Sequence, residues 1–389
     1  MNGDFEYFNP TQVFFGKHAM ENLSALLSMY GDSVLLACGG GSIKKNGVYE
    51  QVTEILNACG KRVTEFSGIM PNPTYAKVLE GGRLARECDA DLILAVGGGS
   101  VMDCAKAVSI AAVEDGDLWT KYWIERQEPD CCPLPVGAIV TMVGTGSEMD
   151  GDAVITNEET KRKCSCWDYA IYPRFAILNP EFTYSVPEYQ TVSGAFDILS
   201  HIMETYFSPD DGDNLSDDMA EALMRSVIRS TGAVLKNPRD YTARSNLMWA
   251  SSLALSGILE PCKAGDWEVH QIQHQLGAYY DCAHGMGLAA VSPAYYRLVC
   301  PYGLSKFVRF AVNVWGVDPA GRTDEETAYA GIDALASFIR EHKMTPTLRA
   351  LGVPDDSLLE EIAGTCNIKR GGYHPLNREE ILQILRDSF

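Results

Sequence analysis

The sequence has few basic residues for its length. Its 389 residues include 32 lysines and arginines against 52 aspartates and glutamates, which gives a formal net charge of −20 when histidine is neutral. A broad basic surface for nucleic acid or anionic lipid is therefore excluded. Any anion that the chain binds has to meet a local site built for it. We expect a small-molecule partner and no nucleic-acid partner.

Long apolar runs and targeting signals are also lacking. No window of the sequence reaches membrane-spanning length, and the opening residues MNGDFEYFNP lack the basic and apolar segments of a secretory signal. The twelve cysteines are scattered, and none forms a C-x-x-C pair. These features predict a cytoplasmic protein with no membrane partner, whose cysteines are reduced thiols.

The first half of the chain alternates between strand-like and helical patterns. Apolar runs such as SVLLAC, DLILAV and PVGAIVTM are separated by segments of helical periodicity such as VYEQVTEILNAC and DCAKAVSIAAV. Continuous apolar strands between helices are typical of a parallel sheet that is covered on both faces. Residues 1–188 are therefore predicted to form an α/β domain, for which the glycine turns of this half then indicate dinucleotide binding.

Beyond this boundary the periodicity is almost wholly helical. Long amphipathic stretches cover residues 216–236, 241–260, 324–342 and 377–388, and two of them begin with capping boxes, Thr323 with Glu326 and Asn377 with Glu380. We predict an all-α domain over residues 189–389.

Two identical Gly-Gly-Gly-Ser turns follow strand-like runs. In the second turn, Gly98, Gly99 and Ser100 lead directly into a helix, so free backbone N–H groups and the helix dipole favour a pyrophosphate there. Ser100 and Asp103 also fit a capping box, which is the purely structural interpretation of both residues; we keep Asp103 as a cofactor candidate.

The first turn carries lysines where a fold selective for NAD normally places an acid. Its residues Gly40, Gly41 and Ser42 are followed by Lys44 and Lys45, and in so acidic a chain this pattern favours a pocket for a 2′-phosphate over a pair of solvated lysines. The sequence therefore predicts that NADP(H) is preferred over NAD(H).

A third cluster supplies hydroxyl groups after strand PVGAIV. Thr141, Thr145 and Ser147 could hold the nicotinamide amide and its ribose, although Gly-Thr-Gly-Ser is also an ordinary tight turn.

Histidine is rare, and its distribution is uneven. The chain has seven histidines, and the pairs Asp197/His201 and His270/His274 each have the i, i+4 spacing that places both side chains on one helix face, with His284 following closely. One carboxylate and three imidazoles would bind a divalent metal that acts as a Lewis acid. A single such pair is more often a solvated or capped face; two pairs and a further histidine favour a metal site.

The candidate metal segments contain no cationic side chain. Neither the stretch from Pro187 to Met224 nor the stretch from Asp266 to Tyr296 has a lysine or arginine. A substrate with a carboxylate or phosphate would be poorly received there, so we expect a small neutral aldehyde or alcohol.

With these motifs together, the chain resembles the iron-containing (group III) alcohol dehydrogenases, particularly the butanol dehydrogenase-like aldehyde reductases. The resemblance runs nearly end to end and rests on FNPTQVFFG, GGGSIKKNGVY, PNPT, GGGSVMDCAK, TMVGTGSEMD, DILSH, HQIQHQLG and AHGMGLA. It implies a dehydroquinate synthase-like architecture in which the metal and nicotinamide meet in a cleft, and it implies a homodimer.

The resemblance also implies individual roles. Asp197, His201, His270 and His284 are expected as metal ligands, and His274 as the nearby histidine that does not bind the metal. Pyrophosphate would contact Gly98, Gly99 and Ser100, Asn72 would lie near the adenosine end, and the nicotinamide riboside would be lined by Thr141, Thr145, Lys163 and Leu178. The metal is expected to be Fe²⁺, with Zn²⁺ the alternative.

The expected chemistry is hydride transfer from the nicotinamide to an aldehyde such as butanal, with His274 in the proton relay. Two alternatives are a lyase or phosphate-substrate enzyme on the same fold, similar to dehydroquinate synthase or glycerol phosphate dehydrogenase, and a metal- or nucleotide-binding protein without catalysis. The first alternative needs cations beside the metal.

Overall fold

The computed structural model describes residues 3–209, 212–368 and 371–389. Two compact units divide the chain, one formed by Asn9–Val186 and the other by Pro187–Phe389 together with the segment that precedes Asn9. The division lies two residues before the predicted boundary at 188, and the opening segment belongs with the second unit. No described helix is both long and apolar enough to cross a bilayer.

The unit Asn9–Val186 is built on the predicted parallel sheet. Within the described residues the sheet has six strands in the order β1-β8-β5-β4-β2-β3, and every pairing is parallel. The strands are β1 (Gln12–Phe15), β2 (Ser33–Gly39), β3 (Arg62–Ile69), β4 (Leu92–Gly97), β5 (Val136–Val140) and β8 (Phe175–Leu178). The strands β2 and β4 are almost wholly apolar and buried, because both faces of the sheet are covered. The α/β prediction is confirmed.

Helices connect the strands and supply the covering layers. They are α1 (Leu23–Leu27), α2 (Ser42–Lys45), α3 (Val48–Ala58), α4 (Tyr75–Glu87) and α5 (Gly99–Ala111). One core cluster joins Val34, Leu36 and Leu94 of the sheet to Val52 and Leu56 of α3. This burial of the helix faces against the strands fixes where each glycine turn leaves the sheet.

An antiparallel hairpin in the same unit has no counterpart in the sequence prediction. Its strands are β6 (Asp152–Asn157) and β7 (Arg162–Trp167), paired from Asp152 with Trp167 to Asn157 with Arg162. The fully buried Lys106 of α5 anchors it, since its Nζ lies 2.5 Å from Asp150 Oδ1 and donates to the Asp152 carbonyl oxygen at 2.6 Å. A buried lysine with several hydrogen-bond acceptors is a structural tie between helix and hairpin.

The second unit is helical over its described residues, as predicted. Its helices are α6 (Glu188–Tyr206), α7 (Leu215–Lys236), α8 (Tyr241–Leu255), α9 (Glu268–Tyr280), α10 (His284–Val299), α11 (Leu304–Asn313), α12 (Asp324–Glu341), α13 (Leu348–Leu351), α14 (Leu359–Thr365) and α15 (Arg378–Asp387).

Short 3₁₀ or π turns occur in both units, at Ala19–Asn22, Trp119–Ile124, Ser147–Met149, Tyr169–Ile171, Pro180–Thr183 and Cys300–Tyr302.

Local signals explain several helix boundaries. Both predicted capping boxes form, at Thr323 for α12 and at Asn377 for α15. The stretch predicted as helix over 241–260 ends earlier, because Gly257 takes a positive φ of 83° just beyond the C-cap of α8. All twelve cysteines have free thiols, in agreement with the reduced state expected from the sequence.

Candidate metal and nucleotide sites

Four side chains converge in the helical unit. Helix α6 carries Asp197 and His201 one turn apart, α9 carries His270 near its start, and His284 is the first residue of α10. One ligand atom from each lies within 4.8 Å of those of the other three. Asp197 Oδ1 is 3.7 Å from Nε2 of His201, 3.9 Å from Nε2 of His270 and 3.3 Å from Nε2 of His284. The structure therefore brings together the four residues proposed as ligands.

The donor atoms of this group suit a divalent metal. Asp197, His201 and His270 are buried, and neither Asp197 Oδ1 nor His270 Nε2 has a hydrogen-bond partner among the described residues. A buried carboxylate oxygen without a partner costs several kcal/mol, which a bound cation would offset. One oxygen and three imidazole nitrogens are a donor set that iron and zinc both accept.

Glu204 fixes the orientation of the His270 ring. Its Oε1 lies 2.8 Å from His270 Nδ1 and also accepts a hydrogen bond from the His270 backbone N–H at 2.9 Å. A carboxylate at Nδ1 holds the proton there and leaves the Nε2 lone pair for a metal. Glu204 is fully buried one turn beyond His201 on α6. Sequence reasoning missed it, although its i+3 spacing from His201 was a usable signal.

Gln273 performs the equivalent role for His284. Its Oε1 is hydrogen-bonded to His284 Nδ1, so the ring again presents Nε2 toward Asp197. This residue was also missed by sequence reasoning, because a glutamine between two histidines has no motif of its own.

The surroundings of the metal group are acidic. Burial alone would lower the pKa of His270, but the Glu204 and Asp197 carboxylates raise it to about 9. Burial and the charge of Glu204 raise the pKa of Glu268 to about 8 and that of Asp266 well above its usual range. The raised pKa values reflect negative charge held in a buried region, which favours the binding of a cation.

A close approach of two helices places His284. A Cβ on Gly285 would lie 1.9 Å from the carbonyl oxygen of Ser193 in α6, so only glycine allows α10 to begin at this distance. A Cβ on Gly287 would meet Gln273 at 2.9 Å. The glycines of AHGMG thus make room for the backbone and the side chain that position His284.

We expect Gly285→Ala to destabilise the protein by about 1–3 kcal/mol or more, because the added methyl group would collide with backbone. Urea denaturation of the metal-free protein measures this change. Gly232→Ala is the matched control. Gly232 lies inside helix α7, and a Cβ on it would meet only His342 Nε2, at an ordinary contact distance of 3.5 Å. Equal free energies of unfolding for both variants would contradict the packing argument.

Loss of the Glu204 hydrogen bond is expected to weaken metal binding. Glu204→Gln should lower metal affinity by about 10–100-fold, the usual effect of removing a carboxylate behind a ligating histidine. Competition with a chromogenic chelator measures the affinity without any catalytic assay. Glu221→Gln is the control, because Glu221 is a buried carboxylate that pairs with Tyr206 and Arg309. Wild-type affinity in Glu204→Gln would show that Glu204 does not tune the metal site.

His274 adjoins the four-residue group without belonging to it. It is buried on α9, and its ring centroid lies 6.2 Å from that of His270 and 5.7 Å from that of His284. His274 thus lies beside the four-residue group, and its role as a histidine that does not bind the metal stays a prediction.

The two glycine turns lie side by side in the α/β unit. They follow β2 and β4, which are adjacent parallel strands with Cys38 paired to Val96. From β2 the chain continues to β3 on one side, and from β4 it continues to β5 on the other. The turns therefore flank the point where strand order reverses, which is where open α/β sheets bind nucleotides.

The second turn has the form of a phosphate cradle. Gly98 is the extended N-cap of α5, and a Cβ on Gly99 would lie 2.2 Å from Thr145 Oγ1, so glycine is needed for the close approach of the third cluster. The alternative capping box is wrong: Ser100 lies inside α5, and Asp103 instead accepts hydrogen bonds from Ser147 Oγ at 2.5 Å and the Val154 N–H at 3.3 Å.

In the first turn Lys44 already has an anionic partner. Its Nζ lies 2.6 Å from Oε1 of Glu65 on β3, whereas Ser42 and Lys45 are exposed. Gly40 and Gly41 face open space, since no atom lies within 4 Å of a Cβ built on either residue. Sequence reasoning considered the two lysines alone and missed Glu65.

The remaining cofactor candidates differ in their placement. Lys163 Nζ donates to Asn72 Oδ1 at 2.7 Å, so two candidates distant in sequence meet directly. Thr141 is buried, and its N–H donates to the Gly97 carbonyl oxygen of the second turn at 2.9 Å. Leu178 has no exposed surface and packs within the sheet, so the structure lends no support to its contact with a cofactor.

Comparisons with known proteins agree with these features. A family model described as iron-containing alcohol dehydrogenase matches residues 10–180, and one described as Fe-containing alcohol dehydrogenase family, C-terminal, matches residues 191–389. NADH-dependent butanol dehydrogenase B of Clostridium acetobutylicum is 40% identical over 99% of both chains, and the NADPH-dependent aldehyde reductase YqhD of Escherichia coli is 33% identical over 91% of both. The crystal structure of NADH-dependent butanol dehydrogenase A from Thermotoga maritima is 36% identical over 98% of both chains, with a TM-score of 0.93.

Proposed function

Because the chain belongs to the iron-containing alcohol dehydrogenase family, we propose that it is a metal-dependent enzyme that interconverts a small uncharged aldehyde and its primary alcohol with NADP(H). Its general class, an alcohol or aldehyde oxidoreductase, follows from its relatives. The substrate, the preference for NADP(H), the identity of the metal as Fe²⁺, the homodimer and the cytoplasmic location belong to the proposal.

One observation carries the proposal: the convergence of Asp197, His201, His270 and His284 on one point. When bound, a divalent metal would polarise the carbonyl oxygen of the aldehyde, and the nicotinamide would supply hydride. Asp197 contributes the single negative charge among the four donors, so the group keeps a net positive charge around a divalent ion. That residual charge is what a developing alkoxide requires.

The chain's own residues then orient groups and move a proton. Glu204 and Gln273 hold the rings of His270 and His284 with Nε2 directed at the metal position. His274 lies beside both rings and would deliver a proton to the alcohol oxygen. No side chain is needed as a nucleophile.

The charge around the metal group favours a neutral substrate. Lys263, which precedes the second cation-free segment, and Lys306, which lies beyond Arg297 after it, both pair with the buried Asp217. They are thereby committed to a structural ion pair. A carboxylate or phosphate on the substrate would therefore find no lysine or arginine from these segments to pair with, whereas a neutral aldehyde needs none.

The preference for NADP(H) rests on the first turn. The exposed Ser42 and Lys45 and the open space at Gly40 and Gly41 suit a 2′-phosphate. Among the relatives, the butanol dehydrogenases are described as NADH-dependent and the aldehyde reductase as NADPH-dependent, so kinship alone leaves both nucleotides open.

A single assay tests the function against its alternatives. Protein stripped of metal is reloaded anaerobically with Fe²⁺ or Zn²⁺ and mixed with butanal and either NADPH or NADH, while nicotinamide absorbance is followed. Metal-dependent oxidation of the nucleotide supports the proposal. Failure with neutral aldehydes but turnover of a phosphorylated substrate would favour the lyase or phosphate-substrate alternative, and metal binding with no turnover of either would favour a binding protein.

A further inference from the structure

Glu65 is an acidic residue that contacts a lysine of the first glycine turn. It stands on β3, the strand that follows the first glycine turn, and pairs in register with Leu36 of β2. The sequence around the first turn showed lysines, but the fold brings an acid to them.

Three side chains are joined by hydrogen bonds at this position. Glu65 Oε1 accepts a hydrogen bond from Lys44 Nζ at 2.6 Å, and Glu65 Oε2 accepts one from the Tyr49 hydroxyl at 2.6 Å. Lys44 Nζ also lies 4.6 Å from the centre of the Tyr49 ring. Both oxygens of the carboxylate are thus engaged, and the ammonium group of Lys44 is held between a carboxylate and an aromatic face.

These contacts decide the charge that the first turn presents. Hydrogen bonds from Lys44 and Tyr49 lower the pKa of Glu65, so this group is a carboxylate at neutral pH. Lys44 is then paired with a carboxylate of the same chain, although it is exposed like its neighbour Lys45. A 2′-phosphate at this turn has to compete with Glu65 for Lys44.

We propose that Glu65 is a positioning residue that limits the preference for NADP(H) by withholding Lys44 from the 2′-phosphate. This inference rests on the proposed function, since it concerns the nucleotide that the first turn receives. It adds that the pair of Glu65 and Lys44 sets how strongly NADP(H) is preferred over NAD(H).

Binding of two adenosine probes tests the inference without catalysis. Isothermal titration of the full-length protein at low salt compares adenosine 2′,5′-bisphosphate with 5′-AMP. For Glu65→Gln we expect the ratio of affinities, bisphosphate over AMP, to rise by about tenfold, because Lys44 is released to the additional phosphate. In the Lys44→Met background the same Glu65→Gln change should have little effect on the ratio, since no ammonium group remains to be released.

Glu87→Gln is the matched control. Glu87 pairs with Arg83 on the exposed face of α4 and ends that helix ahead of β4, so its loss removes an equal charge away from the glycine turns. Its ratio should equal that of the wild type.

Two results would overturn the inference. An unchanged ratio in Glu65→Gln shows that Glu65 does not restrain Lys44, and an equal rise in the Lys44→Met background shows that Lys44 is not the route. If butanal and NADPH are still turned over in either case, the proposed function stands and this inference alone fails. Failure to bind either probe, with no oxidation of NADPH or NADH, would overturn both.

Discussion

Asp197→Asn is expected to lose its metal during purification and to lower kcat/KM for butanal by about three orders of magnitude. Asp197 supplies the sole carboxylate of the four-residue group, and its Oδ1 lies within 4 Å of all three imidazole Nε2 atoms. The amide has the same shape but no charge, so a divalent ion would lose its strongest attraction while the packing of α6 is kept. Metal analysis and anaerobic kinetics with added Fe²⁺ measure both losses.

A control on the same helix separates metal loss from a general defect of α6. Glu188→Gln removes a carboxylate that pairs with Lys343 at 2.7 Å at the start of that helix, and it should keep wild-type metal content and turnover. Circular dichroism of Asp197→Asn should match that of the wild type. If Asp197→Asn retains stoichiometric metal and full activity, the proposed metal centre is wrong.

Ser42→Asp should reverse the preference of the enzyme toward NADH. Ser42 is exposed at the start of the short helix α2, beside the open space at Gly40 and Gly41. A carboxylate there would repel a 2′-phosphate and accept a hydrogen bond from a 2′-hydroxyl. We expect kcat/KM for NADPH to fall by about one to two orders of magnitude, which corresponds to the repulsion energy of two like charges in contact near a protein surface. The value for NADH should change little.

Ser42→Asn introduces a side chain of the same size and shape as that of Ser42→Asp, and it tests whether charge causes the loss of activity with NADPH. It adds the same volume without the negative charge, so NADPH should lose far less activity than in Ser42→Asp. An equal decrease in both variants would indicate a steric effect, and an unchanged NADPH/NADH ratio in Ser42→Asp would reject the 2′-phosphate pocket.

Local spacing made the metal group predictable. Asp197 and His201 are one helical turn apart, so their proximity depends only on α6 being a helix. His284 required more, because it reaches His270 only through the turn between α9 and α10 at Asp281, where φ is 48°. Because the chain has only seven histidines, the position of His284 soon after His270 and His274 still indicated a shared site.

Side-chain contacts between residues that are far apart in the sequence were not predictable in the same way. Glu65 meets Lys44 because β3 lies beside β2, and Lys163 meets Asn72 across a separation of 91 residues. The hairpin β6/β7 was missed for a related reason, since its two strands have six residues each and the buried Lys106 that holds them comes from α5. Periodicity reports which face of an element is buried and not which distant side chain covers it.

The residues proposed for the metal and those proposed for the nucleotide lie in different units of the chain. All four metal donors and their supporting residues Glu204 and Gln273 come from α6, α9 and α10, whereas every glycine turn comes from the unit Asn9–Val186. Substitutions that retune nucleotide choice and substitutions that retune the metal therefore arise in separate stretches of the gene. A change of nucleotide preference therefore requires no change in any metal donor or in the residues that orient it.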